Sequence, residues 1–572
     1  MSFKELTEMI KVARGEKLAD HVIKGAKIVD VFSGEIIEGD IAMKGEWIAG
    51  IGDYEGVETT ELDGGYLVPG LIDAHVHIES SMVSPPHYAA GVLPLGTTAV
   101  VADPHEIANV MGPKGVRLML KLSRNLPLSV FIMVPSCVPA THMETSGAEI
   151  DAPEIGELLK EDGVIGLAEM MNYPGILFCD EGVLAKISVS RGRIIDGHAP
   201  GLSGKDLQCY IAAGIMSDHE CTEPGEALEK LRAGMNIMIR EGTGARNLDT
   251  LLPIVTPENS RRIMFASDDL HPPEILGRGH IDYMIRRAIE YGLDPITAIR
   301  IGSFNAASYF RLDHLGALGP GKMANILWIE DLDNFHPAMV WAKGKLVAKD
   351  GVLTPAAIRE PAIAPPPTMN PASFDVDSFR IEADKGSRAH VIQIIPGQLI
   401  TNHLIEEITV ENDKAVSNIE KDILKMAVIE RHRATGNIGL GFVSGFGLKK
   451  GAIAGSVAHD SHNLIVIGTS DEDIDAAAKA VVRIGGGFAV ASEGKTLATL
   501  PLTLAGLMSL SSIEEVKSEL DKMKAVTAEL GCKIEDPFMM MGFMALPVIP
   551  KLKLTDKGLV DVEQFKIINL FE

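Results

Sequence analysis

Eight short apolar runs recur between residues 71 and 268, each separated from the next by a stretch long enough for a helix. Apolar, β-branched-rich strands that alternate with helices are typical of a parallel sheet covered on both faces. Eight of them predict a (β/α)8 TIM-like barrel, and an open doubly wound sheet with one miscounted strand is the alternative. The runs are Leu71 to Ala74, Thr98 to Asp103, Ser129 to Pro135, Val164 to Met170, Arg193 to Gly197, Ile215 to Asp218, Asn236 to Arg240 and Arg262 to Ser267.

Polar residues stand where seven of the eight predicted strands end. These residues are His75 and His77; Asp103, His105 and Glu106; Glu169; His198; His219 and Glu220; Glu241; and Asp268 and Asp269. Barrel enzymes carry their chemistry at the C-terminal ends of the strands. Residues i and i+2 of a strand point to the same face, so the imidazoles of His75 and His77 can reach one metal ion. The pattern therefore predicts a metallohydrolase.

The rest of the chain is expected to form two further domains, which makes the fold class α/β overall. Residues 1–68, with an N-terminal helix, and residues 316–360 have the character of short β structure. We expect them to pair into one small β-rich domain that is split in sequence by the barrel, residues 69–315. Residues 361–374 are too rich in proline for a helix or a sheet interior and are interpreted as a linker. Residues 375–572 are predicted to form a C-terminal α/β domain.

Composition narrows the possible partners. The chain has 572 residues and a formal net charge of −25, which would repel a polynucleotide, so no nucleic-acid partner is expected. No apolar run reaches the roughly 18 to 20 residues of a membrane span, so no membrane partner is expected either. The first residues lack the apolar core of a secretion signal, and the five cysteines are scattered without a C-x-x-C pair. A cytoplasmic protein with free thiols is the expectation.

Several strings of the sequence resemble one known family. The segments Leu71-Ile-Asp-Ala-His-Val-His-Ile-Glu-Ser-Ser81, Asp103-Pro-His-Glu106, Gly166-Leu-Ala-Glu-Met-Met171 and Asp196-Gly-His-Ala-Pro200 are similar to those of the adenine deaminase family, within the amidohydrolase superfamily. Residues 375–572 resemble the extra domain of that family. The resemblance implies hydrolytic deamination of adenine to hypoxanthine and ammonia, a small purine substrate and a place in purine metabolism and salvage. By analogy we also expect a homo-oligomer.

The resemblance also implies a set of metal ligands and catalytic residues. Related hydantoinases and dihydroorotases generally use a carboxylated lysine on strand four, and Glu169 in its place argues against cyclic amide hydrolysis. Asp268 is implied as both metal ligand and proton shuttle, and Glu169 as a carboxylate that can bridge two metals. The implied metal ligands are His75, His77, Glu169, His198, His219 and Asp268.

Four imidazoles with two carboxylates are compatible with Mn, Fe(II), Zn or Co, and the resemblance implies a binuclear Mn2+ or Fe2+ centre, with Zn2+ as a further option. Such a metal lowers the pKa of a water molecule towards about 7, which supplies hydroxide to attack C6 of adenine. The alternative is another metal-dependent amidohydrolase or deacetylase that acts on a small amide or cyclic substrate. It stays open because these metal ligands support hydrolysis but do not determine which group leaves. A non-catalytic scaffold is disfavoured, since such relatives typically lose ligands and all six are present here.

Eight further residues are candidates for an accessory metal or substrate role, each with a structural alternative. Asp103, His105 and Glu106 could instead shape a loop. Glu79 and Ser81 could face the base or cap the helix that follows, and Glu220 could orient a metal ligand or cap a helix. Asp269 and His271 stand in the loop after strand eight, which is expected to lie over the metal.

Overall fold

The computed structural model describes residues 2–355, 358, 363–384, 386–395 and 398–572. Its central unit contains all eight predicted strands, which we number one to eight as barrel strands. They are Leu71–Val76, Thr97–Ala102, Ser129–Val134, Val164–Met170, Ile194–Gly197, Ser217–Asp218, Asn236–Arg240 and Ile263–Ala266. Strands one to five form one parallel ladder and strands six to eight form another.

Backbone hydrogen bonds close the two ladders into a ring. The N–H of Met216 donates to the carbonyl oxygen of Ile195 at 3.1 Å, which joins the fifth and sixth strands. The N–H of Asp268 donates to the carbonyl oxygen of His75 at 3.0 Å, which joins the eighth strand to the first. The predicted TIM-like barrel is therefore confirmed, and the open doubly wound sheet is excluded.

The interior of the barrel is filled by small and medium apolar side chains from most of the strands, such as Ala99, Val101, Ala168 and Met264. Phe310, from the segment that follows the barrel, packs against the same cluster. A second and larger apolar cluster lies between the strands and the surrounding helices. The barrel is thus a packed core, and polar chemistry is confined to the strand ends.

Helices cover the outside of the barrel. Ile281–Tyr291 shows why such segments are helical: Ile281, Met284, Ile285 and Ala288 are buried at the i, i+3, i+4 and i+7 spacing of one helix face. The helices of this unit are Pro85–Val92, His105–Met111, Pro113–Ser123, Ala152–Leu158, Tyr173–Leu177, Glu181–Val189, Gly204–Ala212, Pro224–Arg232, Leu248–Leu251, Pro272–Gly277, Ile281–Tyr291, Pro295–Ile301 and Phe304–Tyr309, with short 3-10 turns at Ile78–Ser81, Leu93–Leu95, Leu252–Ile254 and Ser260–Arg262.

Strands from both sides of the barrel sequence share one flanking sheet. Ile326–Ile329 pairs antiparallel with Tyr66–Pro69, with Leu327 opposite Val68. The full order of this sheet is Val352–Leu353, Lys345–Lys349, Pro337–Ala342, Ile326–Ile329, Tyr66–Pro69, Lys27–Asp30 and Glu35–Glu38. A second sheet, with the order Trp47–Gly52, Asp40–Lys44, Ala19–Lys24 and Gly56–Glu61, and the helix Phe3–Ala13 lie beside it. Strands from before and after the barrel sequence therefore pair in one sheet, and the division of the chain into domains stays a prediction.

The C-terminal part is built on an eight-stranded sheet. The order is Thr401–Glu407, Arg388–Ile394, Ile438–Ser444, Ile423–Ile429, Leu464–Gly468, Ala452–Gly455, Gly487–Ser492 and Lys495–Pro501. Smaller sheets consist of Thr409–Glu411 with Lys414–Val416, and of Leu552–Thr555, Gly558–Asp561 and Lys566–Ile568. The helices are Asp471–Arg483, Ile513–Glu529 and Pro537–Phe543, with a 3-10 turn at Val376–Phe379.

Residues 363–374, most of the segment interpreted as a linker, contain neither helix nor strand. The predicted boundary at residues 360 and 361 lies outside the described residues. Within the described ranges, none of the helices combines the length and the apolar character that crossing a bilayer requires.

Candidate metal centre

The imidazoles of His75 and His77 meet at the end of the first barrel strand. Their Nε2 atoms lie 3.1 Å apart, and both residues are buried. His77 Nδ1 lies 2.9 Å from the carbonyl oxygen of Asp103, an acceptor only, so Nδ1 carries the proton and donates it. In the neutral ring this leaves Nε2 with a lone pair directed into the site, which is the arrangement of a metal ligand whose tautomer is fixed by its other nitrogen.

Glu169, at the end of the fourth strand, lies between two pairs of histidines. Its Oε1 is 3.8 Å from His75 Nε2 and 3.4 Å from His77 Nε2. Its Oε2 is 2.7 Å from His198 Nδ1 and 3.3 Å from His219 Nε2. One oxygen of a single carboxylate thus faces each pair, which is the placement expected of a carboxylate that bridges two metal ions.

Asp268 completes the set from the end of the eighth strand. Its Oδ1 lies 3.2 Å from His77 Nε2 and 3.6 Å from His75 Nε2. The guanidinium of Arg240 donates to Asp268 Oδ2 at 2.8 Å and forms a two-pronged pair with the carboxylate of Glu220. Arg240 is buried and holds both carboxylates in place.

The site concentrates negative charge. Burial opposes ionisation of Glu169, but His219 and His198 hold the pKa of that carboxyl well below its usual range. Burial is likewise outweighed at Asp268, where Arg240 and the neighbouring histidines keep the pKa well below its usual range. Both carboxylates are therefore ionised at neutral pH, in surroundings that favour a bound cation.

The donor set fits divalent metals. His75, Glu169 and His219 each offer one ligand atom within 4.8 Å of one another, and so do His75, His77 and Asp268. Buried imidazole nitrogens and ionised carboxylate oxygens converge there without a thiolate, as suits Mn, Fe(II), Zn or Co.

Asp103, His105 and Glu106 lie beside this set. His105 Nδ1 is 3.1 Å from Asp103 Oδ2 and 3.5 Å from Glu169 Oε1. Asp103 Oδ1 is buried and has no hydrogen-bond partner among the described residues. Glu106 contacts His105, but its two oxygens are bonded to His459 and His462 of the C-terminal domain. The structure therefore brings His105 close to the candidate metal ligands and turns Glu106 towards the second domain.

The other accessory candidates are placed as follows. Glu79 accepts a hydrogen bond from the N–H of Ile107, so it caps the helix His105–Met111 and not Pro85–Val92, the helix that follows Glu79 in the sequence. Burial raises the pKa of Glu79 to about 7. Ser81 donates to the carbonyl oxygen of Ile78 at 2.6 Å, and Asp269 accepts from Ser80 Oγ at 2.5 Å. His271 faces Asp536 of the C-terminal domain at 3.2 Å.

Comparison with known proteins identifies the family. Residues 66–347 match the model described as the amidohydrolase family, and residues 398–566 match the adenine deaminase C-terminal domain. Among solved structures, a β-aspartyl dipeptidase of Fervidobacterium islandicum AW-1 is 20% identical, with a TM-score of 0.45 over 58% of this chain and 98% of its own. The adenine deaminase of Desulfatibacillum aliphaticivorans is 53% identical over 569 residues, 99% of either chain, and adenine deaminase 2 of Carboxydothermus hydrogenoformans is 48% identical over 568 residues, again 99% of either chain.

The chain belongs to the adenine deaminase family. Its resemblance to that family is thereby confirmed, and the enzyme class is a metal-dependent aminohydrolase of the amidohydrolase type. The roles of individual residues stay predictions.

Sequence reasoning missed two features of this adenine deaminase family site. Arg240 is predicted only as the last residue of the apolar seventh strand. A charged residue at the end of such a strand is a signal that could identify it as part of the site. The contacts of His459 and His462 with Glu106 span more than 350 positions of sequence, so no local pattern could have revealed them.

Proposed function

We propose that the chain catalyses the hydrolytic deamination of adenine, which converts adenine and water to hypoxanthine and ammonia. The observation that carries the proposal is the position of Glu169, whose two oxygens face separate histidine pairs within a six-residue set of which five members are buried. The names of the full-length relatives support adenine as the substrate.

The proposed cofactor is a pair of Mn2+ or Fe2+ ions held by His75, His77, Glu169, His198, His219 and Asp268. When bound, such ions lower the pKa of a water molecule so that hydroxide is available near neutral pH. The absence of cysteine from the set favours these metals over softer ones.

Asp268 is the proposed proton carrier. Its Oδ1 faces the histidine ligands while Arg240 donates to its Oδ2. A carboxylate oxygen has two lone pairs, so Oδ1 could hold a metal with one and, with the other, accept the proton of the attacking water and pass it to the departing amino nitrogen. Arg240 also holds Glu220, which lies 3.4 Å from His219 and 3.6 Å from His198. Glu220 thereby orients two of the ligands.

The test is incubation of the purified, Mn2+-loaded protein with adenine, followed by measurement of hypoxanthine and ammonia. We expect both products in equal amounts, with loss of activity on chelation. Hydrolysis of a small acetylated amide without any turnover of adenine, with either Mn2+ or Fe2+ restored, would instead support the rival amidohydrolase.

We further propose a role in purine salvage, a cytoplasmic location and a homo-oligomeric state. The first follows from adenine as substrate. The other two are supported only by the sequence features and the family analogy given above.

A further inference from the structure

A loop of the C-terminal domain, residues 458–463, is held against the barrel next to the candidate metal centre. Glu106 anchors it at two points, since its Oε1 accepts from His459 Nδ1 at 2.7 Å and its Oε2 accepts from His462 Nε2. All three side chains are buried. The loop is therefore fixed to the helix that follows the second barrel strand.

Both anchors contact Glu106 as hydrogen-bonding groups. The N–H of Ala458 donates to His462 Nδ1 at 3.2 Å, so that nitrogen carries the lone pair and Nε2 carries the proton. A protonated nitrogen directed at Glu106 is unavailable to a metal ion. The two histidines thus position the residues between them.

Asp460 lies directly between the two anchors and is only 3% exposed. Its Oδ2 is buried and has no hydrogen-bond partner within the described part of the chain. A buried carboxylate oxygen without a donor is costly, and native proteins rarely leave one unsatisfied. A bound molecule can supply that donor.

Asp460 is separated from the candidate metal centre by one imidazole ring. Its Oδ1 lies 3.9 Å from His105 Nε2, and the Nδ1 of the same ring lies 3.5 Å from Glu169 Oε1. Burial raises the pKa of Asp460 to about 6, with Glu106 and Glu169 adding to the rise and His105 opposing it. Near pH 7 and above, the group is mainly a carboxylate, which only accepts hydrogen bonds.

We propose that Asp460 is a substrate-binding residue that accepts a hydrogen bond from the exocyclic amino group of the aminopurine. This inference rests on the proposed function, because deamination requires C6 to lie at the metal ligands. The amino group on C6 then lies on the side of the base that faces Glu169, and Asp460 lies beyond the His105 ring from Glu169. The C-terminal domain thereby supplies a residue of the active site and contributes to the selection of a 6-aminopurine.

The test is Asp460→Asn in the metal-loaded, full-length enzyme. Asparagine keeps a carbonyl acceptor but lacks the charge that strengthens the hydrogen bond, so kcat/KM for adenine should fall about 10-fold. Unsubstituted purine lacks the amino group and therefore makes no hydrogen bond to residue 460. Its inhibition constant for the variant should stay within about twofold of the wild-type value. The metal content should not change. Asp460→Ser provides the same comparison if the Asn variant fails to fold.

Asp556→Asn is the matched control. Asp556 is buried in the same domain, bonds to Asn463 of the same loop, and contacts the barrel, but its oxygens already accept from Thr145 N at 2.8 Å and from Asn437 Nδ2 at 3.2 Å. We expect it to leave the ratio of adenine to purine affinity unchanged.

Three results would overturn the inference: normal adenine kinetics in Asp460→Asn, equal weakening of adenine and purine, or loss of a metal equivalent, which would make Asp460 a ligand. If the wild-type enzyme does not deaminate adenine, the proposed function fails. Equilibrium binding of adenine and purine to the two variants then still tests the contact separately.

Discussion

At the scale of single residues, the site depends on how Asp268 is held. Its backbone φ is 55°, in the left-handed region that residues other than glycine seldom adopt. The N–H of Asp268 donates to His75 O and its side chain accepts from Arg240, so surrounding bonds fix this conformation. Such backbone strain is commonly found where geometry serves function.

Asp268→Asn keeps the size of the side chain and removes its capacity to take up a proton. We expect kcat for adenine to fall by about 10²- to 10⁴-fold, the usual contribution of a general acid–base group. Metal analysis should find most of the metal still bound, because five other ligands remain. Turnover close to that of the wild type would contradict the role of Asp268.

Arg240→Gln should destabilise the fold, because it leaves the carboxylates of Glu220 and Asp268 buried without their cation. Loss of one partner of a buried ion pair typically costs about 3–5 kcal/mol in the free energy of unfolding. Chemical denaturation measures this loss. The control is Arg287→Gln, which breaks an exposed pair with Asp249 and should leave the unfolding midpoint unchanged. Equal stability of the two variants would show that Arg240 is not a structural counter-ion.

At the scale of secondary-structure elements, the strand ends explain why so much of the site could be predicted. A parallel strand buried on both faces is largely apolar, so a polar residue near its C-terminal end, such as His75 or Glu169, stands out in the sequence. Arg240 is predicted as part of a strand but its bonds are not predicted, because periodicity identifies a strand and not the partner of its last side chain.

The C-terminal strand Leu552–Thr555 contains a buried lysine whose charge has no carboxylate partner among its hydrogen bonds. Lys553 Nζ donates to the carbonyl oxygens of Leu399 and Phe543, and burial lowers its pKa to about 7. The unfolded chain holds this proton up to about pH 10.4, whereas the folded protein releases it near pH 7. The contribution of Lys553 to folding stability is therefore least favourable below pH 7 and rises between pH 7 and about 10.

Lys553→Met tests this directly. Relative to the variant, the wild-type free energy of unfolding should increase with pH by up to about 1.4 kcal/mol per pH unit over that window. Denaturation at pH 7, 8 and 9 measures the slope. A difference between the two proteins that does not vary with pH would exclude a lowered pKa at Lys553.

At the scale of the whole molecule, the C-terminal domain packs on the face of the barrel that carries the candidate metal-binding residues. Besides Glu106 with His459 and His462, its contacts include His271 with Asp536, and the N–H of Thr145 with Asp556. The existence of this domain could be predicted from the proline-rich segment before it. Its docking could not, because complementary groups such as Glu106 and His462 carry no signal until both domains are folded.

The most direct test of the account is a metal titration of the apo-protein with adenine turnover as the readout. The apo-protein should be inactive, and hypoxanthine formation should rise with added Mn2+ or Fe2+ until two equivalents per chain are bound. Full adenine turnover with no metal or with a single equivalent, or no turnover at two, would contradict a binuclear adenine deaminase centre built on Glu169.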